Sequence, residues 1–243
     1  MKGTEKDRTI AKVNLSHKGL EDKLTLSASI SGSFEKNDYE NYDGWDKDDI
    51  IFQALSRNPT DPVKNADGDY NKTKRAFNYE NPLAVINGVD NIRDAKRFFG
   101  SFKADMEIFS GLIGSINIGY TRDDHENSYF RPKEGIYSSA DNGFGKKEYN
   151  NNQQKLLEIT GNYTKSLGLN NLNAMVGYSW QEANWNGFYA QAENPQSDFL
   201  KYNNLGSFID ITSSSVSSWA GESRLIGFFG RVQYNYDSKY YLS

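Results

Sequence analysis

Between residues 24 and 34, Leu24, Leu26, Ala28, Ile30, Gly32 and Phe34 alternate strictly with Thr25, Ser27, Ser29, Ser31 and Ser33. A period of two sends all the bulk to one side of a pleated strand and all the hydroxyls to the other, which no helix can do. Just upstream, Ala11, Val13 and Leu15 alternate with Lys12, Asn14 and Ser16, and Gly19-Leu20-Glu21-Asp22 is a connection short enough for a hairpin. The pattern returns as Phe98, Gly100, Phe102, Ala104, Met106 and Ile108, turning at Ser110-Gly111 into Leu112, Gly114, Ile116, Ile118 and Tyr120. It returns again as Leu157, Ile159, Gly161 and Tyr163 followed by Leu172, Ala174, Val176, Tyr178 and Trp180, joined across 167–171. A seventh strand carries Ile226, Phe228, Gly230, Val232, Tyr234 and Tyr236, and after Asp237-Ser238-Lys239 an eighth begins at Tyr240.

The connections then decide the architecture. Those near 19–23, 109–111, 165–171 and 237–239 are short, those over 35–95, 122–152 and 182–223 are long, and the two kinds alternate. A transmembrane β-barrel has this asymmetry: tight turns at one rim, extended loops at the other, and strands that present apolar residues to lipid and polar residues to the lumen. The expected fold is all-β, an antiparallel transmembrane barrel segment of seven or eight strands belonging to a larger barrel. Phe34, Tyr120, Tyr178 and Trp180 would border the long loops, and Tyr163, Tyr234 and Tyr236 the short turns, as two interfacial girdles. The alternative is a soluble β-rich binding or adhesion module, a sandwich whose alternating residues fill a dry core.

Composition narrows the function classes. With a mean hydropathy of -0.77, no stretch approaches the roughly 18 apolar residues of a membrane helix, so any span must be built from strands. The 28 basic and 32 acidic residues are interspersed and net -4, so no basic field steers nucleic acid. The N-terminal residues 1–8 lack the apolar core of a signal peptide, so an exported chain is expected to have been trimmed. No cofactor, metal or catalytic residue is expected. His17 and His125 stand alone rather than at metal-ligand spacing, and Asp123-Asp124-His125-Glu126 reads as a solvated loop. Asp43-Gly44-Trp45-Asp46 and Asn65-Ala66-Asp67-Gly68-Asp69 lack the twelve-residue calcium pattern and read as turns. Gly143-Phe144-Gly145-Lys146 lacks phosphate-loop spacing, and Ser33-Phe34-Glu35-Lys36 is a chance S-x-x-K at a strand end. Within the first long connection, 48–55 reads as a short amphipathic helix stopped at Asn58-Pro59, and 81–86 as a second helical turn. Lys12, Arg97, Lys103, Asp105, Glu107, Glu158 and Arg231 are placed on the lumen face, where mixed signs suggest ion pairs bracing the wall.

Several segments, in order along the chain, resemble SusC/RagA-type TonB-dependent outer-membrane transporters. Glu222 to Tyr236 with Lys239-Tyr240-Tyr241-Leu242 is similar to that family's barrel strands, as is Leu172-Asn173-Ala174-Met175-Val176-Gly177-Tyr178-Ser179. Asn58-Pro59-Thr60-Asp61-Pro62-Val63, Asp67-Gly68-Asp69-Tyr70, Asn81-Pro82-Leu83-Ala84 and Asp198 to Leu205 are similar to its external loops. The resemblance implies a plugged barrel of the ~22-stranded class. It also implies import of oligosaccharides or peptides, a SusD-like surface lipoprotein as lid, and energy from the TonB complex. On this reading residues 1–243 are one partial barrel domain, without plug, TonB box or closing C-terminal strands, unable to transport alone. Membrane lipid is an expected partner and nucleic acid is not. Trp185, Phe188, Tyr189, Phe199 and Tyr202 crowd an otherwise polar third connection and are the candidate contacts to glycan, peptide or lid, unless they pack the loop against itself.

Overall fold

A computed structural model describes residues 4–39, 50–71, 80–133 and 142–243. Long strands β1 (Glu5–Gly19), β2 (Leu24–Asp38), β3 (Asp90–Phe109), β4 (Leu112–Arg131), β5 (Phe144–Leu167) and β6 (Asn170–Pro195) follow one another. The short β7 (Phe208–Asp210), the long β8 (Val216–Tyr236) and the short β9 (Tyr240–Leu242) complete them. All pair antiparallel in one sheet of order β1-β2-β3-β4-β5-β6-β8-β9, with β7 on the far part of β6. Residues 20–23, 110–111, 168–169 and 237–239 make the tight turns. Gly111, at φ 91°, shows why: its Cβ position is occupied by the carbonyl oxygen of Thr164, so only glycine fits.

The ladder registers confirm that the alternating residues share one face. Leu26, Ala104, Ile116, Ile159, Tyr178 and Phe228 are successive partners along one row, and the next row holds Ala28, Phe102, Ile118, Leu157, Trp180 and Ile226. Thr25, Lys103, Asn117, Glu158 and Arg231 lie on the other face, as do the remaining lumen candidates Lys12, Arg97, Asp105 and Glu107. A sandwich would bury the apolar rows beneath a second sheet, yet Ile118 is 50%, Val176 68% and Phe228 82% exposed. The apolar face is a lipid face.

A slide in the registers fits a tilted barrel. Following the ladder row from Phe34, the top of the continuous apolar run on β2, leads through Lys96, Asp124, Asn151 and Asn186 to Ala220 on β8. The run on β8 ends instead at Ile226, six residues nearer the short turns, after five strand-to-strand steps. Strands tilted by ~40°, ~4.8 Å apart and rising ~3.3 Å per residue must slide by about 1.2 residues per step to keep one level. From β2 to β8 the edge of the apolar run therefore stays within about two residues of one level, as a bilayer boundary requires.

The strands run well past that boundary. β3 and β4 have 20 residues each, β5 has 24 and β6 has 26, roughly twice the 9–11 that cross a bilayer. The long connections expected over 122–152 and 182–223 thus shrink to 132–143 and 196–215, and the first becomes 39–89. Asp123-Asp124-His125-Glu126 is not a loop but part of β4, because each carboxylate gains a partner on a strand. Asp123 pairs with Arg97, Asp124 accepts from Tyr149 Oη at 2.8 Å, and Glu126 accepts from Lys147 Nζ at 2.8 Å. Ser33 to Lys36 lie inside β2 and Phe144 opens β5. Phe34, Tyr120 and Trp180 mark the upper edge of the apolar band, Tyr178 sits one step lower, and none is at a strand end.

In the first connection, helix α1 (Ile50–Ser56) confirms the expected helix, although Asp48 and Asp49, like Asp43 to Asp46, lie outside the described residues. Helix α2 (Pro82–Gly88) is capped by Asn81, whose side chain accepts from Leu83 N, with proline in the first turn, where its missing N–H costs nothing. Ala84 and Val85 of α2 are buried against Ile50 and Tyr70. Asn65 accepts from the amides of Asp67 and Asp69, so 65–69 is the expected turn.

Candidate functional site

Above the lipid boundary the lumen face carries both polar groups and rings. One ladder row that starts at the boundary on β2 and β3 and rises above it joins Ser33, Arg97, Asp123, Asn152, Trp185 and Gly221. The Arg97 guanidinium is ion-paired with Asp123, and an open groove of about 540 Å³ is lined by Arg97, Phe99, Thr121, Asp123, Asn152 and Gln154. The groove thus exposes donors and acceptors held by neighbouring strands, the preorganised arrangement that suits a hydrogen-bonding solute.

Beside it rises an aromatic platform. Trp185, Trp219 and Tyr189 occupy three successive rows on the lumen face of β6 and β8. Tyr189 and Trp219 are 6.4 Å apart between ring centroids at 45°, and Lys146 Nζ stands 4.8 Å from the Tyr189 centroid. Each of the two indoles covers a glycine on the adjoining strand. A Cβ on Gly187 would come within 2.6 Å of Trp219, and one on Gly221 within 2.5 Å of Trp185. Trp185 remains 40% and Trp219 37% exposed, so both keep a ring face for a partner. Flat rings beside a hydrogen-bonding groove can stack on a sugar ring or a planar peptide group.

The five candidates are divided by the fold. Trp185 and Tyr189 share the platform, whereas Phe188 points to the opposite face, 6.2 Å from Tyr149. All three are in β6 rather than in a loop, and the strand's period of two separates 188 from its neighbours. Phe199 sits in a turn and is 87% exposed. Tyr202 lies in a 3-10 helix (Lys201–Ser207) and packs on the buried cluster of Phe130, Ala192 and Phe208, where burial pushes its phenol pKa up, with Asp90 adding to the rise. Lys201 Nζ is 2.7 Å from Asp90, tying the same segment to β3. Trp219 escaped the sequence reading. Its odd-numbered phase, shared with Gly221 and Arg231, was the available signal.

Nearer the short turns, Lys103 pairs with Asp105 at 2.9 Å, Ser115 donates to Asp105 at 2.5 Å, and Asn117 donates to Glu158 at 3.0 Å. Both signs thus stand side by side on this face and neutral donors hold the carboxylates from the next strand, unlike a ring of one sign. His17 shares the lipid face, in register with Leu26, while His125 faces the lumen with Nδ1 3.9 Å from Asp123.

No protein-family profile matches the chain. It is similar to "TonB-dependent receptor P3" of Formosa agariphila, 30% identical over 192 residues that cover 79% of this chain and 19% of the relative. "TonB-dependent receptor P26" of the same organism is 25% identical over 195 residues, 78% of this chain and 20% of the relative. Among solved structures it is similar to the RagAB peptide transporter, with TM-score 0.76 at 18% identity over 98% of this chain and 27% of that one. The RagAB peptide importer in its "open-open" state gives 0.76 at 17% over the same shares. The chain therefore spans about a fifth of the length of the curated relatives it matches. The chain is therefore similar in sequence to TonB-dependent receptors across most of its length, and its wall has the fold of a segment of the RagAB transporter barrel.

Proposed function

We propose that this segment is part of the barrel of an outer-membrane importer of oligosaccharides or peptides, and that the Trp185, Tyr189 and Trp219 platform receives the substrate on its way into the lumen. The observation that carries this reading is the position of the platform: above the lipid boundary, on the lumen face, beside the Arg97–Asp123 groove. The names of the solved neighbours, a peptide transporter and a peptide importer, favour peptides over glycans. The wall supplies shape and contacts rather than a reaction.

A SusD-like surface lipoprotein is the proposed lid. Phe199, Leu200, Ile209 and Ile211 are exposed apolar residues on the last long connection, where a lid would meet the rim. Coupling to the TonB complex is assigned to the remainder of the receptor.

The test uses the full-length receptor in detergent, titrated calorimetrically with a peptide mixture and, separately, an oligosaccharide mixture. Trp185→Ala with Trp219→Ala should weaken binding of the preferred class by about tenfold, a stacking loss of ~1.4 kcal/mol. Phe188→Ala should leave it unchanged, and Phe199→Ser should weaken co-purification of the lipoprotein alone. Equal affinity of the double variant and the parent for both mixtures would remove the platform from the substrate path.

A further inference from the structure

The lipid face ends at the long-loop edge in a charged row. Moving outward along the strands from β2 to β8, the first residue past the continuous apolar run is Lys36 on β2, Lys96 on β3, Arg122 on β4, Lys155 on β5, Glu182 on β6 and Arg224 on β8; on β1 it is the uncharged Thr9. Five of the six are cations, and all five are exposed. Because the apolar edge slides with the strand tilt overall, these six residues stand within about two residues of one level around the wall. At the opposite edge the same face closes, strand by strand, on His17, Leu24, Ile108, Leu112, Lys165, Asn170 and Tyr236, which include one lysine and no arginine. The asymmetry lies between the two edges of one lipid-facing surface.

We infer that this basic belt binds the headgroups of lipids whose phosphate leaves them net anionic, in the leaflet at the long-loop side. The inference rests on the assignment of the apolar face to lipid. Side chains rooted at the apolar edge lay their methylene stems along hydrocarbon and hold their charges at headgroup depth. Carboxylates near the belt are arranged to steady it. Glu182 is clamped by Lys155 Nζ at 2.9 Å and Arg224 Nε at 3.0 Å, so this trio keeps one net positive charge. Asp124 holds Arg122 at 2.7 Å, and Glu222 lies 3.4 Å from Arg224. Asp38, Asp94, Asp124 and Glu222 all sit one outward step beyond the belt, as Asp7 sits beyond Thr9 on β1, on the side away from the hydrocarbon, so a phosphate approaching from the bilayer meets the cations first. Each exposed cation adds to the attraction of an anionic lipid surface, and the effect falls off within a Debye length, so a belt at headgroup level is where it counts.

The test uses the full-length receptor in detergent, incubated with an equimolar mixture of phosphatidylglycerol and phosphatidylcholine, with retained lipids counted by mass spectrometry after gel filtration. The parent should retain phosphatidylglycerol over phosphatidylcholine by at least about fivefold. Lys36→Gln with Lys96→Gln and Lys155→Gln should bring the two close to parity, and the same three positions as Arg should restore the preference. Lys12→Gln with Lys103→Gln and Arg231→Gln removes as many cations from the lumen face and should leave the preference intact. An unchanged ratio in the belt variant, or an equal fall in the lumen variant, overturns the inference. Absence of retained lipid of either kind would instead strike at the lipid-facing assignment itself.

Discussion

The indole of Trp185 on β6 covers the backbone of Gly221 on β8, its register partner, so closely that a Cβ would stand 2.5 Å from the ring. Trp219 on β8 covers Gly187 on β6 in the opposite sense. Two neighbouring strands thus exchange ring for glycine, and each indole rests over its partner glycine. This reciprocal stacking converts flexible side chains into a rigid surface and leaves one face of each ring open to a partner.

Gly221→Ala should force Trp185 off the sheet, at a cost of about 1–3 kcal/mol typical of overpacking. Trp185→Ala on the same background removes the clash, so the double variant should recover part of the loss, with a coupling of about 0.5–3 kcal/mol. Thermal unfolding of the full-length receptor followed by far-UV circular dichroism measures the cycle. Strict additivity would mean the ring does not rest on the glycine.

Ile159 and Thr160 are adjacent on β5 but face lipid and lumen respectively. Arginine at 159, in the middle of the apolar band, should destabilise the barrel by about 2–4 kcal/mol. At 160, in the row of Asp105 and Ser115, it should cost under about 1 kcal/mol. Urea unfolding in lipid vesicles reads the difference, and equal costs at the two sites would contradict the assignment of faces.

Phe208 is 5% exposed between Phe130 and Ala192, and it anchors the last long connection. Phe208→Ala should release that connection while the hairpins persist, because the strand ladders do not depend on it. Cleavage by trypsin after Lys201, now held by Asp90, should accelerate by about tenfold or more, as expected when ~3–5 kcal/mol of local burial is lost. An unaltered digestion rate would show that the segment is held elsewhere.

Asn81 does two things at once: it caps α2, and its side-chain amide donates to Val63 O at 2.7 Å. Asn81→Ala should cost about 0.5–2 kcal/mol locally. Asn81→Ser keeps a capping oxygen and loses the donation without burying a charge against the Val63 carbonyl, so it should cost less. Amide exchange at Val85, whose N–H bonds Asn81 O, reports both variants.

Strand identity was legible in the sequence wherever lipid imposes a penalty on polar side chains. The period of two over 24–34, 98–120, 157–180 and 226–236 reflects that penalty, and those residues share one face in the structure. Above the boundary both faces of a strand meet water, the penalty vanishes, and so does the pattern. Asp123 to Glu126 and Trp185 to Tyr189 therefore read as loop although backbone pairing continues through them.

Residue order alone determined which side of each hairpin meets lipid, which turns are tight, and where the two short helices lie, because these depend on neighbours a few positions apart. Tertiary structure decided where the strands end and which rings meet. Cross-strand ion pairs such as Arg97–Asp123 sustain the upper wall, and the placement of Trp219 over Gly187 joins residues 32 positions apart. Such meetings follow from register, and register is set by the whole ladder of backbone hydrogen bonds rather than by any local stretch.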